Sequence, residues 1–248
     1  REKLLPVAVD GTLRVLNSSI RNNVEQIIVT SSIVAMFRKP GRSNPYTFGE
    51  NDWTDENWIE GVSDYFLSKT RAERTAWEFM ESKGLKNKLT TINPGGVFGD
   101  ALDKKGGTSI EYVRQFLKGK FPAAPKFAVL ISDIKDVAKS HVACIGNKKV
   151  GGRRLIVGKE VKKLVELSQI MAEAMPEYSK KVPKKELPNF MVKLISYIDS
   201  SAKTMIPDLG IMMQTDTTYA EDLLGLKFKG AKDCISENAK SVVKLGLV

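Results

Sequence analysis

The sequence predicts an α/β fold: a doubly wound parallel sheet followed by a smaller, mostly helical lobe. Three observations lead there. A short β-branched run, QIIVT at 26–30, ends in the hydroxyls of Ser31 and Ser32. A helical pattern follows at 62–84. A second strand, Lys88–Ile92, then stops at Asn93-Pro94-Gly95-Gly96. Strand, helix and strand in that order, each strand broken at its carboxyl end, is the doubly wound pattern, and such sheets bind ligands outside those ends.

The elements follow in order. Leu5, Val9, Leu13, Leu16 and Ile20 form an apolar stripe, so residues 3–21 read as a helix that tolerates Pro6 near its start. Gln26–Thr30 reads as a buried strand. Pro40, Gly41, Pro45 and Gly49 mark the polar stretch behind it as a loop, and loops at strand ends carry function. In the next helix, Val62, Tyr65, Lys69, Ala72, Ala76 and Phe79 recur at steps of three and four, predicting one buried face, with Lys83 in the last turn and Gly84 as the stop. At the strand end 93–96, Pro94 lacks an N–H and the glycines permit positive φ and close approach of a ligand, or simply a turn. Thr108-Ser109 and Asp136 are expected to cap helices at about 110–118 and from 137 onward. GRRLIVG at 152–158 reads as a further strand, and Val161–Met175 as an amphipathic helix ending at Pro176. Prolines 183, 188 and 207 separate apolar runs in the remainder, and CISENAKSVVKLGLV closes the chain as a helix stopped by Gly246.

Lys69 is the anomaly on its face. A lysine on the buried side of a helix has to keep its ammonium hydrated or paired. Its neighbour one turn back is Tyr65, and a cation beside a phenol favours the phenolate, an arrangement suited to proton transfer. A chance Tyr-x-x-x-Lys with a snorkelling lysine gives the same pattern.

Composition narrows the function classes. With 248 residues, 42% hydrophobic and 27% charged, a sizeable core is available. No apolar run has the length of a membrane span, and the opening residues do not have the pattern of a signal peptide. Cys144 and Cys234 are too few and too far apart for a disulfide framework or a metal cluster, so a reducing, cytoplasmic setting is expected and no metal. His141 is the sole histidine and is read as structural. The net charge of +10 is spread along the chain, with clusters near 162 and 182. No aromatic-interleaved basic motif accompanies it, so a solvated basic surface is expected in place of nucleic-acid binding.

The assembled motifs resemble the extended short-chain dehydrogenase/reductases of the NAD-dependent epimerase/dehydratase superfamily, and within them the dihydroflavonol reductase, cinnamoyl-CoA reductase and aldehyde reductase branch. The resemblance rests on GTLRVL at 11–16, TSS at 30–32, the acidic loop with Trp53, YFLSK at 65–69 with TRAER behind it, NPGGVFG at 93–99, Asp136-Val137-Ala138 with His141, and LLGL at 223–226. It implies that 1–158 is the C-terminal part of a Rossmann-like dinucleotide-binding domain, with 100–130 contributing to the substrate side, and that 159–248 is a substrate-binding lobe. It implies reduction of an aldehyde or ketone to an alcohol with NADP or NAD, NADP being slightly favoured. It also implies roles. Tyr65 would be the catalytic acid or base, Lys69 would hold the nicotinamide ribose, and Ser32 would hydrogen-bond the substrate carbonyl. Pro94, Gly95 and Val97 would line the nicotinamide site, and Ser109 would contact the cofactor. Hydride arriving at a carbonyl carbon builds charge on oxygen, which needs such a proton donor and hydrogen bond.

The sequence departs from the family at its start. The GlyxxGlyxxGly turn that seats a pyrophosphate on a helix N-terminus does not occur in these 248 residues. The chain therefore reads as a fragment lacking the first βαβ units of its sheet. Asp100 stands where the family often has proline. The alternatives are an epimerase or dehydratase of the same superfamily, which uses the same Tyr, Lys and Ser, and a non-catalytic binding module on a truncated Rossmann fold.

Overall fold

The apolar stripe of the first helix, α1 (Leu4–Arg21), turns inward as its spacing requires: Leu16 is buried, while Val7 and Val15 point outward. The computed structural model describes residues 4–104, 107–198 and 200–248. After α1 come β1 (Ile27–Thr30), β2 (Tyr46–Thr47), α2 (Asp64–Ser82), β3 (Leu89–Pro94) and β4 (Gly96–Phe98). Then follow α3 (Thr108–Leu117), β5 (Ala124–Pro125), β6 (Ala128–Asp133), α4 (Ile134–Cys144) and β7 (Arg154–Val157). The last part contains β8 (Glu160–Lys163), α5 (Leu164–Ala174), β9 (Glu186–Leu187), α6 (Asn189–Ile195), α7 (Ser200–Met205), β10 (Met213–Gln214), α8 (Thr218–Leu224) and α9 (Ala231–Lys244).

The parallel sheet is β1-β3-β7. Its central strand, β3, is buried along its whole length. Helices cover both faces. On one, Leu16 of α1 and Ala76, Trp77 and Met80 of α2 pack with Ile27 and Leu89. On the other, Val137 and Cys144 of α4 and Ala220 and Leu224 of α8 pack with Leu155 and Val157. Apolar contacts on both faces are what a doubly wound sheet needs to exclude water. The edge strand β1 is less covered than the sequence suggested: Ile27 is buried, Ile28 and Val29 are half-buried and Thr30 is exposed.

The break at Pro94-Gly95 is not a turn. β3 runs through Pro94, and the chain resumes one residue later as β4 in a second sheet, β4-β6-β8. Gly95 is the crossing point. A Cβ there would sit 2.2 Å from the carbonyl oxygen of Leu130 on β6, so only glycine permits this approach. The close neighbour is a strand, where the sequence suggested a ligand. β8, antiparallel to β6, occupies residues read from sequence as the start of a helix, and α5 begins only at Leu164. Both α5 and α9 pack on this second sheet through Leu164, Leu167, Cys234 and Ile235, so the sheet continues across residue 158.

Two caps differ from expectation. Gly107 is the N-cap of α3, with Thr108 and Ser109 inside the first turn. Asp133, not Asp136, caps α4 by accepting from Lys135 N at 2.8 Å. Asp136 instead accepts from the backbone N–H of Lys229 at 2.6 Å and ties α4 to the start of α9. His141 has the structural role expected of it: Nδ1 donates to Val137 O at 2.8 Å, so Nε2 accepts from Thr30 Oγ1 at 2.7 Å.

Cys144 and Cys234 are both buried and unpaired. Burial pushes the Cys144 thiol up to about 11 and raises that of Cys234, with Asp133 adding to the effect. The thiolate is the reactive form. At mildly alkaline pH the native protein should therefore gain no alkyl group from iodoacetamide, while denatured protein gains two, one at each cysteine. Intact mass reads this directly, and fast labelling of the native chain would contradict the packing of α4 and α9.

Candidate active site

Two strand ends and one helix start converge at the carboxyl edge of the parallel sheet. β1 delivers Ser31 and Ser32, β3 delivers Asn93 and Pro94, and Thr30 pairs in register with Ile92. The helix α2 begins beside them. Ser63 caps it, its hydroxyl accepting from Phe66 N at 3.4 Å. Lys83 is the C-cap, and Gly84 leaves the helix at φ +68°, the left-handed geometry that favours glycine.

The buried side of α2 is not the one the spacing suggested. Leu67, Ser68, Thr70, Glu73, Ala76, Trp77 and Met80 are buried, whereas Tyr65 is 51% exposed and Lys69 is half-buried. The inward face carries polar residues because they are satisfied there. Glu73 Oε1 accepts from Arg154 Nε at 2.7 Å and Trp77 Nε1 at 3.3 Å, and Oε2 accepts from Ser31 Oγ at 2.5 Å and Asn93 Nδ2 at 2.7 Å. Thr91 Oγ1 lies 3.0 Å from Oε1 and 2.9 Å from Asn93 Oδ1, and its single proton serves one of them. A buried carboxylate with this many donors is compensated for its desolvation. The network joins α2 to β1, β3 and β7. Sequence reasoning missed it, although Thr70, Glu73, Trp77 and Met80 form a second stripe at steps of three, four and three.

Tyr65 and Lys69 lie along the rim of this buried face. Both line a cavity of about 380 Å³ between α1, α2 and the end of β1, together with Ser31, Ser68 and Glu73. Among the described residues, neither the Tyr65 hydroxyl nor the Lys69 ammonium has a hydrogen-bond or ion-pair partner. Tyr65 also lines a second cavity, of about 590 Å³, whose other side is Lys203, Thr204 and Pro207. The phenol thus stands between a space bounded by the sheet and a space bounded by the smaller lobe.

Arg38 fixes that second space. Its guanidinium donates to Asp208 Oδ2, to Gly61 O at 3.0 Å and to Thr204 O at 2.7 Å, and lies 3.7 Å over the Phe66 ring. Burial lowers its basicity and Asp208 pulls it back up. Arg42 adds a second ion pair to Asp208 at 2.7 Å. These contacts tie the loop after β1 and the approach to Tyr65 to the end of α7 and to the segment that follows it.

The other residues singled out from sequence are distributed as follows. Ser32 is buried next to Asn93, whose side-chain amide donates to Ser32 O at 3.2 Å, and Ser32 Oγ accepts from Val34 N at 3.3 Å. Of the two serines that follow β1, Ser31 lines the cavity with Tyr65 and Ser32 does not. Pro94 is buried at the end of β3, opposite Val157. Gly95 N–H donates to Ser132 Oγ at 2.8 Å. Val97 is half-buried on β4 against the α4–α8 core, and Ser109 lies in the first turn of α3, in the layer over the second sheet. Neither lines the cavities beside Tyr65.

This geometry can be compared with known proteins. No family model matches the chain. It is 29% identical to an NADPH-dependent methylglyoxal reductase of Saccharomyces cerevisiae, covering 98% of this chain and 71% of that one. It is 26% identical to a cinnamoyl-CoA reductase of Petunia hybrida, over 99% of this chain and 67% of the relative. Among solved structures, a yeast methylglyoxal/isovaleraldehyde reductase complexed with NADPH superimposes with a TM-score of 0.77 at 28% identity, covering 98% of this chain and 72% of that one.

Proposed function

We propose a carbonyl-reducing function from one premise: the chain belongs to the extended short-chain dehydrogenase/reductase superfamily, in its reductase branch. It is an NAD(P)-dependent oxidoreductase that turns a small aldehyde or ketone into an alcohol, with NADP favoured over NAD. The observation that carries this reading is the pair at the start of α2. A phenol and an ammonium one turn apart, both without partners among the described residues, face one cavity at the carboxyl edge of a parallel sheet. Ligands of such sheets bind at that edge.

The residues present fit the nicotinamide-ribose end of a dinucleotide. The Lys69 ammonium is half-buried beside Tyr65 and offers three donors to an acceptor, such as vicinal hydroxyls, that the protein itself does not supply. When bound, the cofactor supplies the hydride. Tyr65 then gives its phenolic proton to the carbonyl oxygen as charge builds there, and Lys69 stabilises the phenolate that remains. Ser32, at the end of β1, is assigned the hydrogen bond that orients the carbonyl. The space toward Lys203, Thr204 and Pro207 is assigned to the substrate, and Arg38 holds its wall. Pro94 is kept as a wall of the nicotinamide site because it ends β3 next to Ser32's neighbour Asn93. Gly95, Val97 and Ser109 are kept as more distant contributors, which requires the cofactor to extend past the cavity at Tyr65. The parts before and after residue 158 are proposed as the dinucleotide-binding and substrate-binding parts.

Among the described residues no helix is long and apolar enough to cross a membrane. We assign the protein to the cytoplasm because both cysteines are free and buried, the state a reducing compartment maintains.

Loss of NADPH absorbance in the presence of methylglyoxal or isovaleraldehyde tests the reading. In a protein carrying the GlyxxGlyxxGly turn that these 248 residues lack, turnover is expected with at least one small aldehyde, and absence of both turnover and dinucleotide binding there would sink it. Lys69→Met provides a sharper check. It should weaken cofactor binding, because the ammonium that offers donors to an acceptor in the cavity is lost. If cofactor binding does not move, Lys69 is an ordinary surface-reaching lysine.

A further inference from the structure

A cleft of about 680 Å³ shares no lining residue with either cavity beside Tyr65. Five of its nine lining residues are lysines, Lys118, Lys180, Lys181, Lys184 and Lys185, and none is acidic. Among the described residues none of these five ammonium groups is in an ion pair. Lys181 lies 5.1 Å over the Tyr178 ring. The neighbouring carboxylate, Glu186, is already taken by Lys126 and Lys163.

The walls are built, not incidental. One is the turn after α3, where the Phe121 ring packs edge-on against Phe116 at 5.5 Å. The other is the segment between α5 and α6, where Lys181 N–H donates to Tyr178 O at 2.8 Å. The two are joined by the pairing of β5 with β9 and by Ala124 N–H donating to Lys185 O at 2.9 Å. Lys118, Lys180, Lys181, Lys184 and Lys185 line the concavity without a carboxylate among them, so an anion entering it meets side-chain charge of one sign. Phe121, Pro122 and Val182 give the same cleft an apolar side.

We propose that this cleft binds a small organic polyphosphate, such as a nucleoside diphosphate, with its phosphates among the lysines and its ring against Phe121. Lysine suits phosphate as a compact point charge. The volume is in the range of small-molecule sites, about 300–1,000 Å³, and the mixed lining matches a ligand with one charged and one organic end. The site is separate from the proposed reductase centre and does not depend on it.

Calorimetric titration of the purified chain with ADP, inorganic pyrophosphate and heparin at low salt tests this. One saturable ADP site is expected, tighter than pyrophosphate because the ring adds contact, and weakened by added salt. Lys181→Met with Lys184→Met should weaken ADP by roughly tenfold or more. Lys139→Met with Lys240→Met, both outside the cleft, should leave ADP binding unchanged, as should Lys69→Met, which weakens a dinucleotide at the reductase centre and so separates the two sites. The proposal fails if ADP shows no saturable binding, if both lysine pairs weaken it equally, or if heparin binds and ADP does not displace it. The last outcome would make the cleft a surface for a polymeric anion.

Discussion

Tyr65→Phe should lower kcat by about 10²–10⁴-fold, the usual contribution of general acid catalysis, with little change in cofactor affinity. The substitution keeps the ring and removes only the transferable proton. The structure makes it a clean test. Tyr65 is 51% exposed and its ring rests edge-on against Phe66 with centroids 6.4 Å apart. Phenylalanine preserves that contact. Among the described residues the hydroxyl has no partner, so its removal leaves no buried group unsatisfied and stability should stay within about 0.5 kcal/mol of the parent. A loss of turnover without a loss of stability then belongs to the chemistry. Near-normal kcat in a folded Tyr65→Phe protein would falsify Tyr65 as the proton donor.

What the sequence made legible follows from periodicity and punctuation. Leu16 and Ile20 marked the inner stripe of α1, QIIVT marked β1, and Lys83-Gly84 marked the end of α2, because each reports a local rule. The errors have one physical source. Ser68, Thr70 and Glu73 lie off the face whose spacing predicted burial, yet they are buried, and Ser31 at the end of β1, Asn93 of β3 and Arg154 of β7 meet at Glu73. A partner 81 residues away in sequence leaves no trace in a window of one helix. Gly95 failed in the same way. Its lack of a Cβ was visible, but what approaches it, the backbone of β6, depends on the second sheet. The Tyr65–Lys69 pair was legible as a spacing and the cavity it faces was not, since α1 and β1 supply the opposite wall. The lysines at 180–185 were visible as a basic cluster, but the concavity came from β5 pairing with β9.

Glu73→Ala should destabilise the fold by about 3–5 kcal/mol, the cost of removing one partner of a buried ion pair. For a chain of this size that lowers Tm by roughly 6–20 °C. The Glu73 side chain is fully buried and that of Arg154 is 8% exposed. Arg154 also stacks 3.7 Å over the Trp53 ring and donates to Glu50 O at 2.8 Å and Asp52 O at 2.6 Å. Without Glu73 its charge stays inside, held by carbonyls and an indole but no carboxylate, while Ser31 and Asn93 lose their common acceptor. Glu73→Gln separates shape from charge. It refills the volume and keeps acceptor capacity on one atom only, so it should recover part of the loss. Arg154→Met removes the cation and should leave Glu73 as the uncompensated charge. Because the two defects share one cause, Glu73→Gln with Arg154→Met should cost less than the sum of the single changes, a coupling of roughly 0.5–3 kcal/mol. Urea unfolding of the four proteins measures it. Strict additivity would mean that the donors act independently and that Glu73 is not the post joining α2 to β1, β3 and β7. A coupled result has a consequence for the proposed chemistry. Glu73 lies one turn beyond Lys69 on α2, so the contact that locks the helix to the sheet also fixes where Lys69 and Tyr65 stand relative to Ser31 and Ser32.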